Sequence, residues 1–383
     1  MRLEIYVEKM KVEIFPSGGV HSMYLDTIQS PPEGVEYIGG FSHASGSSID
    51  SGYSRVGKYV LDKLRLPYFA RPIYEDADFV HSSQKMLLTN KDYVIDVEHG
   101  NPFMGADIVN KTDYLHYRWL VSKFLNKDNC KYILPWTNTA MNAFNYNYGF
   151  LGRDLLEEKV RVVYPATKYV GKHHKTDTFT FTFVGGTTWD TFYSKGGIQV
   201  LQAAQMLDFA GFEFDLNFVS KYIPDYIDVG GDGLFVANGL PRDKLMEMFM
   251  YTDVVLLPSA CDTFGMVLIE AMARGVPSIV SDSFAAKEVV GDAGVVIESD
   301  YNVNRWFDNN NLKIFGKGPF HDQFRYGEYC PSFEHVYDLA NAMADMIEDA
   351  SMLKMKSKEC LREVKNGRFS IDTRNKLLRD VYF

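Results

Sequence analysis

Two carboxylates, Asp262 and Glu270, flank seven intervening residues that begin Thr263-Phe264-Gly265-Met266 in this 383-residue chain. Just upstream, Asp253-Val254-Val255-Leu256-Leu257-Pro258 is a short apolar run closed by proline, the pattern of a buried strand. From Met266 to Arg274 strong helix formers predominate, and Gly275 and Pro277 stop them. The spacing therefore predicts Asp262 in a loop after a strand, Gly265 at a helix mouth and Glu270 one turn inside. A helix mouth offers unpaired N–H groups and the positive end of a dipole, which suit an anionic or hydroxyl-rich ligand. Carboxylates beside it accept hydrogen bonds from hydroxyls, so the segment fits a sugar and a phosphate. Lys195 precedes Gly196-Gly197 and a helical stretch, where a diphosphate would meet both a cation and helix N–H groups. A solvent-facing lysine is the plainer alternative.

Histidine titrates near neutrality, so His99, in Glu98-His99-Gly100 after a strand-like run, could hydrogen-bond a hydroxyl or take its proton. Local backbone could satisfy it equally well, and His81 fits a structural role. Asp76-Ala77-Asp78 has the spelling of a divalent-metal pair but precedes a strand instead of ending one. No zinc-like cluster occurs, and no cofactor is implied. A dinucleotide-binding Gly-x-Gly-x-x-Gly with a following acid is missing.

Residues 258–277 resemble the acidic-x7-acidic signature of the retaining family 4 glycosyltransferases, with Pro258-Ser259, Phe264-Gly265 and Gly275-Val276-Pro277 in register. The resemblance implies a GT-B architecture, two Rossmann-like α/β domains facing across a cleft. It implies transfer of a hexose from a nucleotide sugar to an acceptor hydroxyl, with retention and without metal. By position it assigns the donor sugar's hydroxyls to Asp262, the sugar and diphosphate to the amides of Gly265 and Met266, the ribose to Glu270 and the diphosphate to Lys195. Thr263 and Phe264 share that turn. Pro16-Ser17-Gly18-Gly19 looks like the family's glycine pair, and His99 like its histidine near the reaction centre. Gly185, Gly186 and Thr187 after one strand, with Asn238 and Gly239 after another, complete the candidate substrate-binding set. The chain departs from the pattern twice: Asp262 stands where Glu is usual, and Gly186-Thr187-Thr188 lacks the family's phosphate-binding arginine. A GT-B sugar phosphorylase or synthase, or a non-catalytic nucleotide-sugar-binding homologue, remain the other readings.

Hydrophobic residues make up 46% and charged residues 23%, ordinary for a globular chain long enough for two cores. No apolar run is long enough to span a bilayer, the first residues do not read as a signal peptide, and Cys130, Cys261, Cys330 and Cys360 are scattered. A cytoplasmic protein, at most peripheral to a membrane, is expected. Net charge is −10, with 21 Lys and Arg against 20 Asp and Glu through Lys175 and 19 against 30 beyond it. That balance disfavours nucleic acid as a partner. Lys168, Lys172 and Lys175 with His173 and His174 are the one tight basic cluster in the sequence, and a solvated linker is its plainer meaning.

The elements that must position these residues alternate strand and helix. Strands are expected at 11–16, 78–81, 93–99, 132–135 and 160–165, and helices at 20–29 and 113–126. Beyond a polar linker at 166–177, strands follow at 178–184, 213–219, 233–237, 253–258, 278–281 and 294–297. Helices are expected at 198–209, 241–250, 266–274 and 285–290, with a loop over 187–194, and two more helices within 333–366. The expected domains are 1–170 on the acceptor side, 171–368 for the nucleotide sugar, and a last helix in 369–383 crossing back to the first. Residues 299–331, rich in Trp and Phe, interrupt the pattern and could serve as a lid, a homo-oligomer contact or a self-packed excursion.

Overall fold

The computed structural model describes residues 9–15, 22–39, 55–100, 103, 114–149, 158–171, 174, 177–186, 188–225, 233–260, 262–299 and 330–383. Within these, 9–166 with 371–383 form one compact unit, and 167–299 with 330–370 form another.

The first unit runs β1 (Met10–Phe15), α1 (Ser22–Gln29), β2 (Val35–Ile38), α2 (Arg55–Lys63), β3 (Phe69–Ala70), β4 (Phe79–Ser83), β5 (Met86–Leu87), β6 (Tyr93–Val97), α3 (Leu115–Leu125), β7 (Cys130–Pro135) and α4 (Asn138–Tyr148). Its main sheet is parallel, in the order β2-β1-β4-β6-β7, and β3 pairs with β5 in a separate ribbon. Strand order reverses between β1 and β4, the switch point of a flavodoxin-like sheet. β6 is buried throughout, as strands covered on both faces are.

Residues 160–165 do not form the expected strand. Val160 makes a lone bridge to Ile133, and the amides of Arg161 and Val163 donate to Ile133 O at 3.0 Å and Pro135 O at 2.9 Å. Pro135 has no N–H with which to return a bond, so the ladder is half made.

The C-terminal helix, Ile371–Tyr382, packs Leu378, Val381 and Tyr382 into a cluster with Val12, Val35, Phe79, Val94 and Leu134. Each fully buried aliphatic or aromatic side chain contributes about 1.5–3 kcal/mol. Arg374 Nη2 donates to Ser30 O at 2.8 Å and pins the start of this helix behind α1. A buried polar chain runs beneath it. Tyr24 donates to Asp96, Asp96 Oδ2 lies 3.0 Å from His81 Nε2, and His81 Nδ1 lies 2.6 Å from the Tyr382 hydroxyl, itself 3.1 Å from that of Tyr37. His81 is thus a structural residue.

The second unit runs β8 (Thr180–Val184), α5 (Trp189–Ser194), α6 (Gly197–Phe209), β9 (Asp215–Val219), β10 (Leu234–Ala237), α7 (Arg242–Met248), β11 (Val254–Leu257), α8 (Met266–Met272), β12 (Ser278–Ser281), α9 (Ala286–Val290), β13 (Val295–Ile297), α10 (Phe333–Glu348) and α11 (Ala350–Lys365). Helix α5 occupies the stretch expected to be a loop, because Thr188 and Thr191 exchange side-chain and backbone bonds as a capping box. All six strands are parallel, in the order β10-β9-β8-β11-β12-β13. Numbered from β8, that order is 3-2-1-4-5-6, the doubly wound Rossmann arrangement, with its switch point between β8 and β11. The core between sheet and helices is aromatic: Phe183 stacks obliquely on Phe218 at 4.6 Å, and Phe192 approaches Phe218 at 6.2 Å.

Candidate functional site

The candidates of the second unit lie past the carboxyl ends of its strands, after the central β8 and β11 and after the edge strand β10. Chain leaving β11 turns at Pro258 and is tied back to the end of α5: Ala260 N donates to Ser194 O at 2.8 Å, and Ser259 Oγ donates to the same oxygen at 3.0 Å. Gly196 permits this approach. Its φ is +86°, and a side chain there would start 2.6 Å from Pro258 O, so only glycine fits without displacing backbone. The two loops thereby place Lys195 Nζ 3.7 Å from Asp262 Oδ2, a half-buried pair beside the switch point, where open α/β sheets collect ligands.

Phe264 is buried edge-on to Phe369, 6.2 Å between centroids, which fixes the turn before α8. Gly265 follows with φ +75° as the N-cap, and Met266 opens the helix. Every residue of α8 is buried, so Glu270 is a carboxylate on a wholly buried helix. Burying such a charge is costly unless it is paired. Its partner is Arg242, whose Nε donates to Glu270 Oε1 at 2.9 Å. Arg242 opens α7 after Pro241 and lies just beyond Asn238 and Gly239, which turn the chain at the end of β10 with φ +73° at Gly239. The sequence reading missed Arg242, because Arg-Asp-Lys at a helix start reads as solvent-facing.

Gly185 and Gly186 have a packing reason. A Cβ on Gly185 would meet Ser220 Oγ at 2.7 Å, and one on Gly186 would overlap Thr191. Thr187 lies outside the described residues, as do Gly18 and Gly19. Lys195, Asp262, Thr263, Phe264, Gly265 and Met266 are therefore brought together, and Glu270 is joined through Arg242 to the Asn238-Gly239 turn.

In the first unit, His99 follows β6 and precedes Gly100, which packs so closely on α4 that a Cβ would sit 2.7 Å from Asn147 Nδ2. Burial lowers the affinity of His99 for a proton, against the opposing charge of Glu98, so the neutral imidazole prevails at pH 7. Glu98 Oε2 accepts from Gln84 Nε2 at 2.6 Å. Asp76 and Asp78 hold Lys11, through its Nζ at 3.1 Å and its amide at 2.8 Å, and so serve the fold. Among the described residues no group of three or more His, Cys, Asp or Glu is placed to hold a metal ion.

Two parallel α/β units of Rossmann-like order, with candidates at a switch point, define the GT-B class of fold, and solved structures agree. The chain is similar to sucrose-phosphate synthase from Thermosynechococcus elongatus over 98% of both chains, with TM-score 0.56 and 14% identity. It is also similar to HepE from Anabaena, solved with UDP and glucose, over 97% of this chain and 98% of that one, with TM-score 0.58 and 13% identity. Residues 230–325 match the family model of glycosyl transferases group 1, a stretch that contains Asn238, Arg242, Asp262 and Glu270. A curated relative, N-acetyl-alpha-D-glucosaminyl L-malate synthase from Bacillus anthracis, is 30% identical over 108 residues, 25% of this chain and 28% of that protein. This match spans little more than a quarter of the relative's length.

Proposed function

We propose that the protein is a retaining, family 4-like glycosyltransferase that moves a hexose from a nucleotide sugar to an acceptor hydroxyl without a metal ion. The observation that carries this reading is the Lys195–Asp262 pair, 3.7 Å apart beside the β8/β11 switch point. In transfer from a nucleotide sugar, the bond between the anomeric carbon and the diphosphate breaks, and negative charge grows on the departing oxygen. A fixed ammonium there stabilises that charge at little reorganisation cost. A carboxylate within reach of the same ammonium can accept hydrogen bonds from sugar hydroxyls and orient the ring. Gly265 and Met266 offer amides to the sugar and diphosphate, and Glu270, held by Arg242, takes the ribose. His99, neutral at pH 7, is assigned to the acceptor hydroxyl.

The family match over 230–325 covers the Asp262 and Glu270 motif and supports the group 1 reading, and the UDP and glucose bound to HepE suggest the kind of donor. Among the described residues no helix is long and apolar enough to cross a membrane, and a cytoplasmic setting is part of the proposal.

A thermal-shift screen against UDP-, GDP- and ADP-sugars tests the donor, since a ligand that binds the native state raises its apparent stability. Lys195→Ala should weaken nucleoside diphosphate far more than free nucleoside, and transfer should persist in excess EDTA. Equal loss for both ligands, or abolition by chelator, would sink these assignments. Tight donor binding without transfer or slow hydrolysis would point to a binding homologue instead.

A further inference from the structure

The loop that follows β9 brings a third cation to the ends of the strands in the second unit. Ser220 N donates to Ala237 O at 3.0 Å, at the end of β10, and Lys221 N donates to Gly186 O at 3.1 Å, just past β8. Lys221 is thereby fixed between the turns that leave its two neighbouring strands. Its stem runs beside Gly239: Cγ, Cδ and Cε lie 3.1, 3.7 and 3.8 Å from where a Cβ on that glycine would stand. Gly239, at φ +73°, has no side chain to push the stem aside. Lys195 and Arg242 are each paired with a carboxylate, Asp262 and Glu270. Among the described residues no carboxylate pairs with Lys221.

On the proposed function, on which this inference rests, Lys195 meets the diphosphate, and Glu270, held by Arg242, meets the ribose. Lys195 lies beside the β8/β11 switch point, whereas Arg242 opens α7 just after β10. A nucleotide strung between those two cations runs from the centre of the sheet toward its β10 edge. The base, on the far side of the ribose from the phosphates, then falls over the turns after β9 and β10, where Lys221 stands. We infer that the Lys221 ammonium reads the nucleobase of the donor and selects one that presents a carbonyl oxygen, uracil or guanine, over adenine. An ammonium only donates hydrogen bonds. Uracil O4 and guanine O6 accept from it, and adenine carries an amino donor where guanine carries that oxygen.

Isothermal titration of the full chain with UDP, GDP, ADP and inorganic pyrophosphate tests this. Wild type should bind UDP, GDP or both about tenfold or more tighter than ADP, and the two arms show which base is taken. Lys221→Met keeps the stem against Gly239 and removes the charge. It should melt like wild type, lose about tenfold in affinity for the preferred nucleotide, and bind ADP and pyrophosphate as before. ADP bound by wild type as tightly as UDP and GDP overturns the inference. So does an equal loss for all four ligands in Lys221→Met, which would put the ammonium on the phosphates, or a base preference that survives the substitution. Binding of none of the three nucleotides defeats the proposed function itself, and this inference with it.

Discussion

Arg242→Ala removes the guanidinium from a carboxylate that is only 7% exposed, while the arginine itself is 37% exposed. Breaking a fully buried pair from one side costs about 3–5 kcal/mol, because the remaining charge stays in low dielectric. An exposed pair contributes about 1 kcal/mol or less. This pair lies between those limits, so solvent screening on the arginine side brings the expected loss to about 2 kcal/mol. In a unit of this size that lowers the melting transition by about 4–8 °C. Glu270→Gln leaves a guanidinium that can rehydrate, and should cost about 1 kcal/mol of stability. The two changes together should cost less than their sum, with a coupling of about 1–2 kcal/mol.

Donor binding separates position from stability. With Glu270 on the ribose as proposed, Glu270→Gln should lose a charge-assisted bond, about 1.5–3 kcal/mol of affinity for a nucleoside diphosphate. Arg242→Ala keeps the carboxylate but frees its orientation, so affinity should fall by a smaller factor, and Arg242→Lys should recover part of it. Melting followed by differential scanning calorimetry, with titration of UDP, GDP and ADP, measures all of these. An Arg242→Ala protein with wild-type melting and wild-type nucleotide affinity would refute the reasoning, as would strictly additive effects.

His99 has a folded-state proton affinity below its unfolded one, so native protein binds fewer protons and stability should decline as pH falls below about 6.5; a difference melting curve against His99→Gln should lose that slope, and an unchanged slope would contradict it. Gly196→Ala should destabilise the second unit by about 1–3 kcal/mol and lower nucleotide affinity with it, because backbone strain and the clash with Pro258 O both displace the Lys195 loop; normal denaturant midpoints would show that the loop yields easily. Tyr382→Phe removes a hydroxyl that contacts both His81 and Tyr37, and should cost about 1–2 kcal/mol in urea unfolding of the first unit; no change would mean the buried chain contributes nothing net.

How much of this was legible in sequence follows from how local each cause is. The strand, loop and helix from Val254 to Met272 lie within twenty residues, and the apolar run, Phe264-Gly265 and Gly275 announce them directly. Helices α10 and α11 were expected within 333–366 and form at Phe333–Glu348 and Ala350–Lys365. Helix α4 escaped because four asparagines, poor helix formers, mask its period. Its buried positions Ala140, Ala143, Phe144, Asn147 and Tyr148 nevertheless keep helical spacing behind the Thr137 cap, which accepts from Ala140 N at 3.0 Å. Residues 160–165 misled in the opposite direction, since alternation shows what could pair but not that the neighbouring residue is a proline.

The candidate site divides along the same line. Asp262 and Glu270 can be found from their own neighbourhood, but what holds each of them cannot. Lys195 reaches Asp262 because Ser194 O accepts two bonds from a loop 65 residues away, which follows from β8 and β11 being adjacent across a switch point. Arg242 reaches Glu270 from the helix after an edge strand, 28 residues earlier. Both cations come from helix ends after other strands of the same sheet: Lys195 can be found from the glycines that follow it, but its pairing with Asp262 depends on strand order, and no local pattern announces Arg242. The chain lacks the arginine expected after Gly186, and Arg242 does not stand in for it by position: it opens α7, next to the turn after β10, while Lys195 lies at the end of α5, after β8. A diphosphate at the switch point would meet Lys195, and a ribose at Glu270 would meet Arg242. The proposed function would then divide charge between the two ends of a nucleotide, and an arginine introduced at Thr188 should raise affinity for the diphosphate without changing that for the nucleoside, a comparison that isothermal titration can decide.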